Sequence, residues 1–532
     1  MDRQYFFERN LLALSSQNPG LCSRLSSAVT TLNRYKFLES RSAETIPALV
    51  DSSGAAHPLH SMVDPRREAE RLISTLNGEG FIIILGLGGG FTAEAILQRE
   101  DVSHVLAVEY DINALAELFC FRDYVNILRD KRFHLMVDSA EAELEGYILE
   151  NYQPLVSAGL RTLPLRTRIE DDTVHFSAAA GAIEDAVKKV QADYSVQAYF
   201  GTRWFSNIIR NLAAAEKQNG PFPPVREAAI CAAGPSLDTQ LPVLLKNRAA
   251  KGKDLFIIAA DTSLPALIAK GLKPDAVISI DCQHISYQHF MGNFPRNIPL
   301  FLDLASPPLL SSLSSNCHFF SGGHPLTTYI SRRWRPIPLI DTSGANVTYA
   351  GLSLAETLGA ERIEIYGADF SYPLGKTYAR GTYIFPFFEK QQTRLLPMEA
   401  LFSAFLYRTP FSAKTGEGTS WYYETETMRR YRVRLEEKAA VINARIISVP
   451  GMGAPVTITR EKDFNEKRPL RIFAPGKKRT SARDFLTGYR ERIRALPPSG
   501  AGIQRWLARL DEEGRLLFTT MLPTAAALQR QK

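Results

Sequence analysis

Short apolar segments alternate with helix-like segments between residues 227 and 370, and this alternation constrains the fold more than any other feature of the sequence. The apolar segments are AAIC, LFIIAAD, AVISID, PLFLDLA, CHFFSG and RIEIYGAD. A similar series begins with FIIILGLGGGF at residue 81 and extends to residue 138. Apolar strands separated by helices are typical of parallel sheets covered on both faces. We therefore predict an α/β protein with two Rossmann-like domains, mostly parallel sheets and a helical C-terminal region.

The predicted domain boundaries follow breaks in this pattern. A glycine and three prolines between residues 219 and 224 end a long helix-like segment that begins near residue 177. We predict four parts, which are a mixed segment at 1–76, a Rossmann-like domain at 77–220, a nucleotide-binding catalytic domain at 221–455 and a basic helical region at 456–532.

The distribution of charge along the chain indicates whether a nucleic-acid partner is expected. The net charge of +7 comes from residues 460–532, which contain 17 Lys and Arg against 8 Asp and Glu. Acidic and apolar residues interrupt these basic residues in a pattern typical of amphipathic helices, so we expect no nucleic-acid partner.

Two further features concern the compartment. No segment approaches the run of about 18 apolar residues that a spanning helix requires, and the N-terminus lacks the pattern of a secretory signal. We therefore expect no transmembrane segment and a cytoplasmic location. The five cysteines are an odd number and form no CxxC pair, which favours buried free thiols.

Two small-residue turns are candidates for binding a nucleotide. Gly234-Pro235-Ser236-Leu237 follows an apolar strand and opens a helix, and Thr342-Ser343-Gly344 precedes another helix. Glycine allows close approach of the backbone to a ligand, and the first amides of a helix bind anions. Together the two turns predict one nucleotide site.

Acidic residues follow three of the predicted strands. Asp261, Asp281 and Asp369 come after LFIIAA, AVISI and IEIYGA, respectively. Each could cap a helix, but the carboxyl ends of parallel strands meet at one edge of a sheet, where ligands bind. We therefore predict that the three carboxylates face the Gly234-Pro235-Ser236-Leu237 turn.

The segments AAGPSL, IIAADTSLPALIAKGLKPDAVISID and IEIYGADFSY resemble the sialyltransferase-like domain of the motility accessory factor family, whose members transfer nonulosonic acid sugars onto flagellin. LHSMVDPRREAERLI and TRWFSNIIRNL are similar to segments that precede this domain, so the resemblance extends to about residue 385. It implies transfer of a nonulosonic acid from a CMP-activated donor to Ser or Thr of flagellin or a similar protein. It also implies nucleotide contacts from both turns and from Asp261, with no certain cofactor.

The resemblance also implies roles in catalysis. Tyr372 and Tyr378, in SYPLGKTYARG, lie where related sialyltransferases keep tyrosines that assist the departing phosphate. Lys376 or Arg380 would add positive charge there, and Asp369 is the third carboxylate of the predicted catalytic set.

Two departures from the sialyltransferase pattern leave the catalytic base open. Those enzymes read GNGPSL, whereas Ala232-Ala233 stands here, and they take a histidine from beyond the tyrosine loop, whereas this chain has none after His324. Asp281 is therefore the candidate base, with His284 and His289 on the segment that follows it.

Two alternatives remain open. The same domain resembles hydroxymethylpterin and thiamin pyrophosphokinases, in which Asp261 and Asp281 would hold Mg²⁺ for diphosphate transfer from ATP. The missing histidine also allows a non-catalytic protein that binds flagellin.

The first half of the chain contains its own glycine motif. Gly86, Gly88 and Gly90 follow the strand FIIIL, and Glu109 ends the next strand. This layout suits a dinucleotide or S-adenosylmethionine, but the acid that methyltransferases often place just before the first glycine is absent. We predict a structural Rossmann-like domain with no cofactor of its own.

Overall fold

The computed structural model describes residues 3–28, 34–218, 221–291, 294–409, 412–418, 420–458, 473–498 and 503–530. The chain divides into two compact units, one built from residues 1–199 and 496–515 and the other from residues 200–495 and 516–531. Each unit contains a parallel sheet with helices, so the predicted α/β class is confirmed.

The first unit contains a small antiparallel sheet and a four-stranded parallel sheet. The antiparallel strands are β1 (Tyr35–Glu39), β2 (Thr45–Val50) and β3 (Ala56–Pro58). The parallel strands are β4 (Phe81–Leu85), β5 (His104–Glu109), β6 (Phe133–Val137) and β7 (Leu160–Pro164), in the order β6-β5-β4-β7. All five residues of β4 are buried, because helices cover both faces of a parallel sheet.

In the described part of the first unit, nine helices precede a long helix that continues into the second unit. They are α1 (Arg3–Ser15), α2 (Pro19–Ser26), α3 (Pro65–Ile73), α4 (Phe91–Leu97), α5 (Ile112–Phe121), α6 (Val125–Arg129), α7 (Glu141–Asn151), α8 (Pro154–Ser157) and α9 (Arg166–Asp171). The long helix is α10 (Thr173–Lys217), which agrees with the helix-like segment predicted from the sequence.

The second unit is built on a seven-stranded sheet whose paired strands are all parallel. Its strands, in chain order, are β8 (Glu227–Cys231), β9 (Leu255–Ala260), β10 (Ala276–Ser279), β11 (Leu300–Asp303), β12 (Cys317–Phe320) and β13 (Arg362–Tyr366), followed after a gap by β17 (Arg445–Ser448). The spatial order is β12-β11-β10-β9-β8-β13-β17. Ile230 of β8 lies opposite Ile258 and Ile365 of its two neighbours, and all three side chains are buried.

A small antiparallel sheet lies in the gap between β13 and β17 in the chain. Its strands are β14 (Tyr372–Pro373), β15 (Ser412–Glu417) and β16 (Ser420–Thr425), in the order β14-β16-β15. The helices after α10 are α11 (Leu237–Lys251), α12 (Leu264–Ala269), α13 (Pro325–Arg333), α14 (Val347–Thr357), α15 (Ile384–Glu389), α16 (Met398–Leu406), α17 (Glu426–Val441), α18 (Ala482–Arg494), α19 (Ile503–Arg509) and α20 (Glu512–Arg530). Short 3-10 helices include Asp261–Ser263 and His284–Phe290.

The unit boundaries differ from the predicted domain boundaries. The end of α10 belongs to the second unit, because the buried amides of Asn207 and Asn211 donate to the carbonyl oxygens of Ala305 and Ser306, each at 2.8 Å. Residues 1–76 form one unit with the Rossmann-like sheet, and the C-terminal region is shared between the two units instead of standing apart. Residues 219 and 220 of the predicted linker lie outside the described residues.

The structure can also be compared with the predictions about the cysteines and about transmembrane segments. All five cysteines are free thiols, and Cys120, Cys231 and Cys282 are buried whereas Cys22 and Cys317 are half-buried. Within the part of the chain that the structure describes, no helix is both long enough and apolar enough to cross a bilayer.

Candidate functional site

The carboxyl edge of the seven-stranded sheet brings the three predicted strand-end carboxylates to one side of the second unit. Asp261 follows β9, Asp281 follows β10 and Asp369 follows β13. Asp303, the last residue of β11, adds a fourth carboxylate to this edge. Sequence reasoning missed Asp303, although it ends the apolar segment PLFLD as Asp261 and Asp281 follow theirs.

Asp369 is tied to the turn that opens α11. Its carboxylate accepts hydrogen bonds from the Ser236 backbone amide at 2.8 Å and from the Ser236 hydroxyl at 2.5 Å. Ser236 is fully buried and Asp369 is 4% exposed. Burial raises the pKa of Asp369, whereas the hydrogen bonds from Ser236 and Gly453 act in the opposite direction. These hydrogen bonds tie Asp369, which follows β13, to the turn that opens α11, and this geometry indicates a structural role.

A glycine-containing segment after β17 completes this tie. The Met452 amide donates to the Ser236 hydroxyl oxygen at 2.7 Å, and the Ala454 amide donates to the Asp369 carbonyl oxygen at 2.9 Å. A β-carbon at Gly453 would lie 2.5 Å from the Asp369 carbonyl oxygen, so glycine is required there by close packing. Sequence reasoning missed this segment, although PGMGAP has the glycine and proline content of a constrained loop.

The backbone amides of the first turn are hydrogen-bonded within the protein, whereas we expected them to be free to bind an anion. The Gly234 amide donates to the Gly367 carbonyl oxygen at 2.9 Å, and the Leu237 amide donates to the Gly234 carbonyl oxygen at 3.0 Å. The Ser236 amide is taken by Asp369, and Pro235 has no amide hydrogen. The assignment of this turn to nucleotide binding thus stays a prediction.

The second turn, Thr342-Ser343-Gly344, lies before α14 and carries positive charge from α17. Arg434 donates to the Ser343 carbonyl oxygen at 2.6 Å, and Lys438 lies 3.2 Å from the Asp341 carboxylate. Although burial opposes its ionisation, hydrogen bonds from Ser343, Tyr349 and Lys438 hold the pKa of Asp341 at about 2. A nucleotide at this turn would therefore meet Arg434 and an ionised Asp341.

Asp261 and Asp281 form a close pair with unequal surroundings. Asp261 is 1% exposed, and its two oxygens accept from the Thr262 amide at 2.7 Å and the Ser279 hydroxyl at 2.6 Å. Asp281 is half-buried and accepts from the Gln283 amide at 2.9 Å. Burial raises the pKa of Asp281, and the charge of Asp261 adds to this rise. Asp281 is thus the carboxylate of the pair that is better placed to meet a substrate.

Asp303 holds the neighbouring loops of the sheet edge. One carboxylate oxygen accepts from the Ala305 amide at 2.7 Å, and the Gly322 amide also donates to this carboxylate. Burial raises the pKa of Asp303 to about 6, against the opposing effect of the two amides. Thr342 of the second turn donates from its hydroxyl to the Gly322 carbonyl oxygen at 3.2 Å, so Asp303 indirectly supports that turn.

Tyr378 and Tyr383 lie beside the carboxylate pair, and Tyr372 and Arg408 lie beside these tyrosines. Tyr372 and Tyr378 were predicted, and the structure adds Tyr383, whose ring centroid lies 6.2 Å from that of Tyr378. Burial raises the pKa of Tyr383, the nearby positive charge of Arg408 opposes the rise, and the charges of Asp261 and Asp281 favour it. Tyr383 is part of a second Thr-Tyr dipeptide in KTYARGTY, which is the signal that could have identified it.

Both predicted cations lie at the surface, and Arg408, which was not predicted, is also exposed but approaches the tyrosines. Lys376 and Arg380 are exposed. Arg408 follows α16 and stacks over the Phe405 ring at 3.7 Å. Burial raises the pKa of Tyr372, and the nearby positive charge of Arg408 opposes this rise. Arg408 thus supplies positive charge beside the tyrosines, and sequence reasoning missed it.

The two histidines after Asp281 have different environments. His284 is exposed, whereas His289 is 8% exposed and packs edge-on against Tyr383 with ring centroids 4.5 Å apart. The structure therefore brings His289 to Asp281 and the tyrosines and leaves His284 outside.

No group of three or more His, Cys, Asp or Glu residues suited to a metal ion occurs in the described ranges. Mg²⁺ is commonly held by one or two carboxylates together with substrate phosphates. Asp261 and Asp281 provide such a pair, although both oxygens of Asp261 already accept hydrogen bonds.

In the first unit, the protein's own side chains fill the space around the glycine loop. A β-carbon at Gly86 would lie 2.8 Å from the Arg168 side chain, and one at Gly88 would lie 2.7 Å from His60 Nε2. His60 Nε2 itself accepts from the Gly89 amide at 2.8 Å. These glycines therefore serve close packing within the domain.

Glu109, the acidic residue that ends β5, is likewise engaged. It is 1% exposed, accepts from the Leu87 amide at 2.7 Å and forms an ion pair with buried Arg168 at 3.0 Å. This arrangement agrees with a structural role for the Rossmann-like domain.

Comparisons with known proteins agree with this architecture. Residues 203–375 match the family described as "6-hydroxymethylpterin diphosphokinase MptE-like". An uncharacterized Treponema pallidum (strain Nichols) protein is 35% identical over 153 residues, which are 28% of this chain and 54% of that protein. A second uncharacterized protein of the same organism is 30% identical over 169 residues, which are 31% of this chain and 78% of that protein. The chain thus spans about half the length of the first of these relatives.

A solved structure shares the fold across nearly the whole chain. The MAf glycosyltransferase from Magnetospirillum magneticum AMB-1 superposes with a TM-score of 0.61 at 13% sequence identity, covering 99% of this chain and 91% of that one. The fold is therefore an α/β fold of the MAf type, with one parallel sheet in each unit. The chain belongs to one family with the second Treponema pallidum protein, and its resemblance to the motility accessory factor family is confirmed by the MptE-like segment and the MAf fold.

Proposed function

We propose that the protein is a glycosyltransferase that moves a nonulosonic acid from a CMP-activated donor to Ser or Thr of flagellin or a similar protein. The observation that carries the proposal is the convergence of Asp281, His289, Tyr378 and Tyr383 at the carboxyl edge of the sheet, in a MAf-type fold. This edge is where parallel α/β sheets bind their ligands.

The chemistry of sugar transfer accounts for these residue types. The acceptor hydroxyl must lose a proton as its oxygen attacks the anomeric carbon, which requires a base. The departing nucleotide phosphate requires hydrogen-bond donors and positive charge. Tyr372 and Tyr378 supply hydroxyl groups, and Arg408 supplies a cation beside them.

We place the nucleotide between the two turns. Asp261, Gly234-Pro235-Ser236-Leu237 and Thr342-Ser343-Gly344 border the region where the CMP moiety would bind, and Arg434 brings a positive charge to the second turn. The Ser343 and Ala345 amides of the second turn are also engaged, by Asp341 and by the Thr342 carbonyl oxygen. We expect the second turn to contribute more to phosphate binding because of the positive charge of Arg434.

Mass spectrometry of a reconstituted reaction tests the proposal. Purified protein is given CMP-N-acetylneuraminate as a probe donor and flagellin of the source organism as acceptor, and the sugar's mass should appear on Ser or Thr peptides. Asp281→Asn should slow the transfer by roughly 10²- to 10⁴-fold while CMP binding, measured by calorimetry, is largely kept. Asp254→Asn is the matched control, because Asp254 is exposed at the opposite end of β9.

A second candidate function is favoured by the description of the matching family. Diphosphate transfer from ATP to a hydroxymethylpterin would use Asp261 and Asp281 to hold Mg²⁺, and the loss of either ligand would then affect catalysis almost equally. Strictly Mg²⁺-dependent turnover of ATP with hydroxymethylpterin, with flagellin left unmodified, would replace the glycosyltransferase proposal. Binding of flagellin with neither activity would support a non-catalytic role.

A further inference from the structure

His289 is a buried histidine beside the candidate site. Ring nitrogens without a hydrogen-bond partner also occur at His175, His318 and His324, so its position beside Asp281 and Tyr383 is what distinguishes His289. The residue lies on the 3-10 helix His284–Phe290, which follows Asp281. It is 8% exposed, and its Nδ1 atom is buried with no hydrogen-bond partner. Buried polar atoms are nearly always hydrogen-bonded, so an unpaired one calls for an explanation such as a catalytic role.

The groups that face His289 are suited to proton transfer. Asp281 is close enough for the charges of the two residues to interact, and the Tyr383 ring packs edge-on against the imidazole. The 3-10 helix Asp261–Ser263 packs against the His289 helix and adds the Asp261 carboxylate. The other helix packed there, α12 (Leu264–Ala269), contributes no titratable side chain.

We infer that His289, with Asp281 as its charge partner, is the catalytic base of the proposed sugar transfer, so this inference rests on the proposed function. The acceptor Ser or Thr hydroxyl gives its proton to the His289 imidazole as its oxygen forms a bond to the anomeric carbon. The bond between that carbon and the phosphate oxygen breaks, and its electron pair leaves with CMP. The Asp281 carboxylate then stabilises the imidazolium.

If Asp281 were the base in place of His289, a carboxylate would accept the proton instead of an imidazole. An imidazole titrates near neutral pH and is a stronger base than an ordinary carboxylate, which suits removal of a proton from a hydroxyl group. A carboxylate beside an imidazole orients the ring and stabilises its charged form. The charge interaction between Asp281 and His289 is the contact that this division of roles requires.

Chemical rescue distinguishes the two assignments. With CMP-N-acetylneuraminate and flagellin, His289→Ala should lower the transfer rate by roughly 10²- to 10⁴-fold, keep CMP binding, and regain activity when imidazole is added. His284→Ala is the matched control on the same 3-10 helix and should transfer at the wild-type rate, because His284 is exposed. If His289→Ala transfers normally, or if formate restores Asp281→Ala while imidazole leaves His289→Ala inactive, the assignment to His289 is overturned.

A second measurement keeps the inference testable if His289→Ala does not fold. The wild-type rate should fall at low pH as one histidine becomes protonated, and Asp281→Asn should move this fall to lower pH, because the imidazolium loses its carboxylate. Disappearance of the acidic fall in Asp281→Asn would make Asp281 the base. Absence of any transfer by the wild type would refute the proposed function itself, an outcome distinct from failure of the His289 assignment.

Discussion

Replacement of Asp369 separates a structural role from a catalytic one. In Asp369→Ala, the amides of buried Ser236 and half-buried Gly453 lose their acceptor, and the Ser236 hydroxyl loses the partner to which it donates at 2.5 Å. Each orphaned buried donor costs about 1–3 kcal/mol. The cost of burying the carboxylate offsets part of the sum, so we expect a loss of about 3–5 kcal/mol in the free energy of unfolding.

Urea unfolding followed by tryptophan fluorescence measures this loss in the second unit, which contains Trp204, Trp334 and Trp421, three of the four tryptophans. Asp369→Asn is the informative partner, because its amide oxygen can still accept from Ser236 while the negative charge is removed. We expect it to cost about 1 kcal/mol and to change sugar transfer less than tenfold. A stable Asp369→Asn variant whose transfer rate falls a hundredfold would refute the structural interpretation and restore the predicted catalytic role.

Three further predictions follow from buried groups. Because the folded-state pKa of Asp303 is raised from 3.8 to about 6, its contribution to stability is fully present below pH 4 and is lost as pH rises through 6. The free energy of unfolding should fall by about 3 kcal/mol over this pH range. Asp303→Asn should remove this dependence of the urea unfolding midpoint on pH, and an unchanged pH dependence would exclude Asp303 as its source. Gly234→Ala should destabilise the second unit by about 1–3 kcal/mol, because its β-carbon would lie 2.4 Å from the Gly367 carbonyl oxygen; wild-type thermal stability would contradict this. Glu109→Ala should cost about 3 kcal/mol in thermal or urea unfolding, whereas Glu109→Ala combined with Arg168→Met should recover much of that loss. Sugar transfer by either variant, measured on folded protein, should stay near the wild-type rate if the first unit holds no cofactor.

Most of the sheet of the second unit could be predicted, because most of its strands have a recognisable local sequence pattern. Segments such as LFIIAAD and RIEIYGAD are apolar runs that end in a turn residue, and six of the seven strands were identified in this way. The seventh, β17 (Arg445–Ser448), was missed because RIIS is only four residues long and begins shortly after α17 ends at Val441. The two antiparallel sheets were missed because their strands have at most six residues, and most of these strands mix polar and apolar residues.

The positions of site residues could be predicted better than their partners. Parallel topology places Asp261 and Asp281 at one edge whatever their neighbours are, so their proximity followed from the strand order. The engagement of Ser236 by Asp369 could not be read from the chain, because a hydrogen bond between residues that distant leaves no local pattern. The turn was therefore expected to offer free amides, whereas tertiary contacts had already satisfied them.

The tie at Ser236 also determines when the edge of the sheet can be completed during synthesis. Its partners Asp369 and Met452 come 133 and 216 residues later in the chain. At translation rates of about 5–20 residues per second, the second partner emerges roughly 10–40 s after Ser236. During that interval the nascent turn is hydrated and open, and a chain truncated before Met452 would contain most of the sheet without a finished turn.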